Sequence, residues 1–200
     1  MKYRLNSRLK RMLSHTVSHV TQLAYALNES SWLAVEKSLL DCKGAIVVTG
    51  VGKAGIVAKK FVATLRSYGT KAIFLHPVDA GHGDMGVVDQ QDLLLFISNS
   101  GNTLELIELA KASKALGCMM IAITGSANSS LGKLVDQNLV IGKPPEVCVV
   151  QMAPTTSVIW MLMICDLLAS GVAQHKQLTP DVFKSAHPHG SLGARSVELI

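Results

Sequence analysis

Residues 97–105, Ile-Ser-Asn-Ser-Gly-Asn-Thr-Leu-Glu, put three hydroxyls (Ser98, Ser100 and Thr103) and the flexible Gly101 into one short loop. The apolar run Leu93-Leu94-Leu95-Phe96-Ile97 before it reads as a buried strand. The run Leu104-Glu105-Leu106-Ile107-Glu108-Leu109-Ala110-Lys111 after it has its apolar residues at helical spacing. The loop therefore sits where a strand turns into a helix. Free N–H groups and the positive dipole end of such a helix attract an anion, and the hydroxyls add donors. That is the chemistry of holding a phosphate. Glu105, in the first helical turn, lies close to whatever the phosphate carries, and it also complements the helix dipole.

Gly50-Val51-Gly52-Lys53-Ala54-Gly55 is a second loop of this kind, matching G-x-G-x-x-G between a strand and a helix. A dinucleotide site also needs an acidic residue closing the second strand to bind a ribose. Here that strand ends at Leu75-His76-Pro77, and Asp79 arrives late, inside a loop. Lys53 is unusual in a pyrophosphate turn but suits an anionic substrate, and the P-loop pattern G-x-x-x-x-G-K-[ST] is not matched. A small anionic substrate is expected rather than a nicotinamide cofactor.

The elements that must position these loops alternate along the chain. Weak helical periodicity runs through residues 5–27, at Leu9, Met12, Leu13, Val17, Val20 and Leu23. A second helix is predicted over 31–42, with Ser30 or Ser31 as its cap. Strands are predicted over 45–49, 72–75, 92–97, 119–124 and 138–141. Helices are predicted from the glycine loop to about Arg66 and over 103–116, 129–135 and 154–172. Residues 76–91 read as a loop, and Thr179 caps a last short helix with Pro180 in its first turn. This order predicts an α/β fold, a doubly wound five-stranded parallel sheet with helices on both faces. One domain is expected, with helices over about 5–43, a sheet core over about 45–142 and C-terminal helices and a loop over about 153–195. Ligands of such sheets sit outside the carboxyl ends of the strands. The loops at 49–55, 76–86, 98–103 and 124–129 share that edge.

Of the 200 residues, 48% are hydrophobic and only 4% aromatic, so the core must be aliphatic and methionine-rich, as buried parallel strands require. A net charge of +5 would suit nucleic acid. However, the basic residues are scattered except at Lys2, Arg4, Arg8, Lys10 and Arg11, and few aromatics are present to stack on bases. Nucleic acid is not an expected partner. Cys42, Cys118, Cys148 and Cys165 form no C-x-x-C pair, which predicts reduced core thiols rather than a zinc site. The most membrane-like run, Val158 to Cys165, is cut by Asp166 well short of the roughly 18–20 residues a span needs. It reads as a buried or interface helix. With no signal-peptide pattern at the N-terminus, a cytoplasmic protein that does not enter the membrane is expected.

Five blocks occur in order: Thr49-Gly-Val-Gly-Lys-Ala-Gly55, His76-Pro-Val-Asp-Ala-Gly-His-Gly-Asp-Met-Gly86, Ser98-Asn-Ser-Gly101, Ala153-Pro-Thr-Thr156 and Ala186-His-Pro-His-Gly-Ser-Leu-Gly193. Together they resemble the sugar isomerase (SIS) domain, and within it the arabinose-5-phosphate isomerase group, over roughly residues 30–195. The Ser98–Gly101 block marks the superfamily broadly, and the two His-Pro blocks are more specific to the group. The resemblance implies interconversion of D-arabinose 5-phosphate and D-ribulose 5-phosphate, feeding Kdo, the eight-carbon acidic sugar of lipopolysaccharide or capsule. It implies a catalytic lysine, two glutamates and a late histidine, which fall on Lys53, Glu105, Glu146 and His187. It places substrate at Gly52, Gly69, Thr70, His82, Ser98, Asn99, Ser100, Gly101 and Thr103, with the phosphate in the Ser98–Gly101 loop. His76 matches a histidine associated with inhibitory zinc, and no cofactor is required. The group assembles as homotetramers with composite sites, the late histidine reaching a neighbouring copy. Apolar surface nearly all round the helix near 157–170 (Trp160, Met161, Met163, Ile164) is consistent with that.

Aldose–ketose isomerisation needs a sugar ring opened, a proton moved between neighbouring carbons and an enediolate oxygen stabilised. A glutamate suits the proton transfer if partial burial lifts its pKa toward neutrality. Glu146 is favoured over Glu105, and the division of labour between them stays open. His187 would serve ring opening or proton transfer, and Lys53 would stabilise the oxyanion. Two departures from the group's pattern follow His187: His189 stands where glycine is usual, and Ala194 precedes the basic Arg195. The chain stops at Ile200, before the pair of CBS modules that many members carry, so control through such modules is not expected. The alternatives are a sibling isomerase acting on a heptose or hexulose phosphate, and a non-catalytic sugar-phosphate sensor. A sensor needs the phosphate loop but not all four acid–base residues.

Overall fold

Apolar runs build five short strands, β1 (Ile46–Gly50), β2 (Ala72–Phe74), β3 (Leu93–Ser98), β4 (Met119–Thr124) and β5 (Gln137–Val140), in a computed structural model that describes residues 7–189. They pair in parallel, in the order β2-β1-β3-β4-β5. Every residue of β1 and β3 is buried, because helices cover both faces and the strands need no polar alternation. Successive side chains still go to opposite faces. Ile46, Val48, Leu93, Leu95 and Ile97 join one core, and Val47, Leu94 and Phe96 the other.

Helices α1 (Ser7–Ala26), α2 (Glu29–Asp41), α3 (Gly52–Ser67) and α6 (Thr156–His175) supply the first core; α4 (Pro77–Ala80) and α5 (Leu104–Ser113) supply the second. A last helix, α7 (Pro180–Ala186), packs against α3. With a mean hydropathy of 1.8 over 18 of its 20 residues, α6 has the length and composition to cross a membrane. Yet Trp160, Met161, Ile164, Cys165, Leu168 and Val172 lie in the core, and Asp166 pairs with Lys60 of α3. It is a buried core helix, one of the two roles expected of it.

The chain departs from expectation mostly at its turns. α2 opens two residues earlier than predicted, because Asn28, not Ser30 or Ser31, is its cap and accepts from the Ser31 N–H at 2.9 Å. Residues 76–91 are not all loop. Pro77, with its φ already set, opens α4, and a 3-10 turn spans Asp84–Val87. The helix expected over 129–135 is a series of turns tied to the 98–103 loop. Leu131 N–H donates to the Gly101 carbonyl (2.9 Å), Ser130 N–H to Asn102 Oδ1 (3.0 Å) and Gly132 N–H to Ser129 Oγ (3.1 Å). Those partners satisfy the donors that a helix would have used. Asp92, expected inside a strand, lies just before β3. Its buried carboxylate accepts from the N–H groups of Ala45 (2.6 Å) and Asp89 (2.9 Å) and ties the starts of β1 and β3 together. Residues 5 and 6 of the first predicted helix, Lys2, Arg4 and positions 190–195 of the late block lie outside the described residues.

Candidate active site

The sheet order reverses at the β1–β3 pair, since the chain leaves β1 toward β2 on one side and β3 toward β4 on the other. A crevice opens outside the carboxyl ends of strands at such a reversal. Gly50 is paired with Ile97, so the 50–55 and 98–103 loops leave the sheet side by side. Gly55 lets α3 press onto the end of β1, because a Cβ there would stand 2.7 Å from the Gly50 carbonyl oxygen. Gly101 has φ +63, and a Cβ on it would lie 2.4 Å from Ser129 Cβ, so a larger residue does not fit.

The two loops line a cleft of about 300 Å³ with Lys53, Ser98, Asn99, Ser100 and Thr103, closed on the far side by Pro154 and Met161. Two helices begin at this cleft. Neither Val51 of α3 nor Thr103 of α5 caps its helix with a side chain, which leaves first-turn N–H groups available and directs both positive dipole ends inward beside Lys53. Such convergence makes an anion site. The hydroxyls also shape the loop. Ser98 Oγ accepts from Gly101 N–H (3.1 Å) and lies 3.2 Å from Thr103 Oγ1, and Ser100 Oγ accepts from Asn102 N–H (3.1 Å).

Glu105 lines a second cleft, of about 370 Å³, with His82, Glu108 and residues of α4. The first turn of α5 thus divides the candidate residues, with Thr103 on one cleft and Glu105 on the other. At the end of β2, His76 Nδ1 is buried without a hydrogen-bond partner, 3.9 Å from Asp79 Oδ2. No group of three or more His, Cys, Asp or Glu side chains suited to a metal forms among the described residues. Among the described residues, a zinc ion at His76 would find Asp79 nearby but no third ligand.

Glu146 lies between β5 and α6 and is 9% exposed. Its Oε2 accepts from the Thr155 N–H (2.7 Å), the Thr155 hydroxyl (2.8 Å) and the Ser157 N–H (3.3 Å), and its Oε1 accepts from the Ser157 hydroxyl. Burial is the largest single influence and pushes this carboxyl's pKa up. The hydrogen bonds from Ser157 and Thr155 together outweigh it and hold the group below its ordinary range. The expected lift toward neutrality is therefore overturned at Glu146, which rests ionised against the start of α6. A carboxyl with a depressed folded pKa stabilises the fold above its unfolded value of about 4.3, and this stability is lost as pH falls through the folded value. Ser157→Ala should cost about 1.5–3 kcal/mol near neutral pH. Denaturant midpoints should show the gap to the parent chain narrowing as pH falls below about 4.3. A gap that ignores pH would mean that Ser157 does not act through this carboxylate.

Three candidate residues lie at the other edge of the sheet. α3 runs back from the cleft, so Ser67 at its end is roughly 20 Å from Lys53 at 1.5 Å rise per residue. There His187 Nε2 lies 3.3 Å from Ser67 Oγ, its ring stacks on Phe183 with centroids 4.2 Å apart, and Nδ1 is 2.8 Å from the Phe183 carbonyl oxygen. Thr70 Oγ1 accepts from Lys176 Nζ (3.1 Å), and Gly69, at φ +73, leaves room for Val182 of α7. One chain thus gathers Gly52, Lys53 and the 98–103 loop at one cleft, with His82 and Glu105 lining the other. Glu146 is held by Thr155, next to the cleft-lining Pro154, and His187, Gly69 and Thr70 lie far from all of these. Ser157 and Gln151 lie outside every motif block. Ser157 had a legible signal, since a hydroxyl residue opening an apolar helix marks an N-terminus, where a carboxylate is favoured.

An SIS domain family model matches residues 38–171. The chain is 37% identical over 187 residues to the arabinose 5-phosphate isomerase KpsF of Escherichia coli, covering 94% of this chain and 59% of that protein. It is 42% identical over 157 residues to the arabinose 5-phosphate isomerase KdsD of Pseudomonas aeruginosa, covering 78% and 48% respectively. The chain thus spans roughly half of the length of the curated relatives it matches. Escherichia coli CFT073 c3406, solved in complex with arabinose 5-phosphate, has a TM-score of 0.85 and 32% identity, over 92% of this chain and 100% of that one. With the family model covering all five strands and both loops, the chain belongs to the SIS domain family.

Proposed function

We propose that this chain is an aldose–ketose isomerase interconverting D-arabinose 5-phosphate and D-ribulose 5-phosphate on the route to Kdo. The observation that carries the reading is the cleft where two helix N-termini and Lys53 converge beside the 98–101 loop. A phosphate dianion meets its charge there through backbone donors, helix dipoles and one ammonium group. The relatives named as arabinose 5-phosphate isomerases, and the related structure holding that sugar phosphate, supply the substrate class.

With the phosphate anchored, His187 assists ring opening by moving a proton between the C1 hydroxyl and the ring oxygen. Glu146 leaves the Ser157 hydroxyl, takes the proton from C2 and returns it to C1, while the C2 hydroxyl gives up its proton and O1 gains one through the enediol. Lys53 stabilises the enediolate oxygen between those two steps. The conversion is redox-neutral overall, so it needs no redox cofactor, and the proposed acid–base groups carry it without any other. One chain does not bring His187 to Lys53, and a second copy would supply it within a homotetramer acting in the cytoplasm.

Proton NMR of the purified protein with D-arabinose 5-phosphate in deuterium oxide tests the reading. Ribulose 5-phosphate should form, with deuterium entering its C1 and, on return, C2 of the recovered aldose. Binding without conversion would overturn it and leave another sugar phosphate or a sensor.

A further inference from the structure

The turn between β5 and α6 contains a polar brace. Gln151 stands at φ +53, in the left-handed region that non-glycine residues rarely occupy. Its side-chain amide bonds the main chain of Glu146 twice. The Glu146 N–H donates to Gln151 Oε1 (2.8 Å), and Gln151 Nε2 donates to the Glu146 carbonyl oxygen (2.6 Å). A side-chain amide carries a donor and an acceptor on one planar group, as this double bridge demands. The Gln151 N–H closes the turn by donating to the Cys148 carbonyl (2.8 Å). On the other flank, the Thr155 hydroxyl accepts from Val147 N–H (2.9 Å) while donating to the Glu146 carboxylate (2.8 Å).

Packing does little to order this turn. Val149, Val150 and Met152 are 92%, 65% and 81% exposed. Hydrogen bonds must therefore hold the strained backbone, and such strain persists only where its surroundings over-determine it.

We propose that Gln151 is a positioning residue for the proton transfer: it fixes the main chain of Glu146, so that the carboxylate travels between the start of α6 and the substrate by side-chain rotation alone. This rests on the reading of Glu146 as the base. Asn99, Lys53 and the helix N-termini of the phosphate cleft take no part in the brace, so the role is expected in kcat rather than KM.

Two variants test it. Gln151→Gly removes the bridge while relieving the backbone, and Gln151→Asn keeps an amide and tolerates the left-handed region but is one methylene too short. Each should lower kcat for arabinose 5-phosphate isomerisation about tenfold with KM within about twofold, as misplacement of a proton-transfer group does. The acid limb of the kcat–pH profile should move to higher pH, because a loosened clamp lets the Glu146 carboxyl return toward its ordinary range. Unchanged kcat and acid limb in both variants would overturn the proposal. A fall in kcat that merely tracks a lower melting temperature, with the limb unmoved, would overturn it too. Glu146→Gln separates the two readings. If isomerisation survives that substitution, the base assignment fails and takes the positioning role with it. If isomerisation is lost there while both Gln151 variants match the parent chain, only the positioning role fails.

Discussion

Glu146→Gln should lower kcat for arabinose 5-phosphate isomerisation by about 10²–10⁴ while KM changes little. Glutamine keeps the shape of the side chain and much of its bonding. Its carbonyl oxygen can accept from the Thr155 and Ser157 N–H groups that now bond Oε2, and its NH₂ can donate to the Ser157 hydroxyl. What disappears is the group able to take a proton from C2. The Lys53 cleft, where the phosphate is proposed to bind, is built from other residues, so affinity should persist. Glu105→Gln is the paired measurement. Should the large loss appear there and not at Glu146, the base belongs to the second cleft, beside His82.

Lys53→Ala and His187→Ala should each abolish turnover, yet assembling the two variants together should restore it. The expectation follows from α3, whose length puts the two residues at opposite edges of the sheet. If His187 serves the Lys53 cleft of a second copy, a mixed pair carries one site with both defects and one site with none. Random pairing across a two-fold interface then returns about a quarter of the parent activity. No recovery, in mixtures shown by light scattering to form mixed oligomers, would mean that His187 works within its own chain, after a rearrangement of α7, or does not work in catalysis.

The sheet was legible because its strands announce themselves. Leu93 to Ile97 is a continuous apolar run, and only a strand buried on both faces, or a core helix longer than this, would tolerate it. The Lys53 cleft was legible for a related reason, since a strand, a glycine loop and a helix in succession leave few places for the loop to go. Where the reading failed, a distant partner decided the outcome. Residues 129–135 suit a helix, but Asn102 and the Gly101 carbonyl take their donors. Glu146 has no local sign of a depressed pKa, because its donors come nine and eleven residues later, across a turn. His187 could be named as a candidate from its block, but no local pattern reveals that it docks on Ser67.

The way α3 joins the two edges sets an unusual constraint on this chain. Lys53 is at its first turn, and Ser67, which His187 meets, is its last residue. Adding one residue within the helix would lengthen it by about 1.5 Å and turn one end about 100° against the other. Both patches would survive intact, but they would no longer face the directions that a shared site between copies requires. If a second copy supplies His187, the residue count of α3 is therefore as constrained as the side chains at its two ends. On that arrangement the helix is a strut of fixed length and fixed phase between the Lys53 cleft and His187.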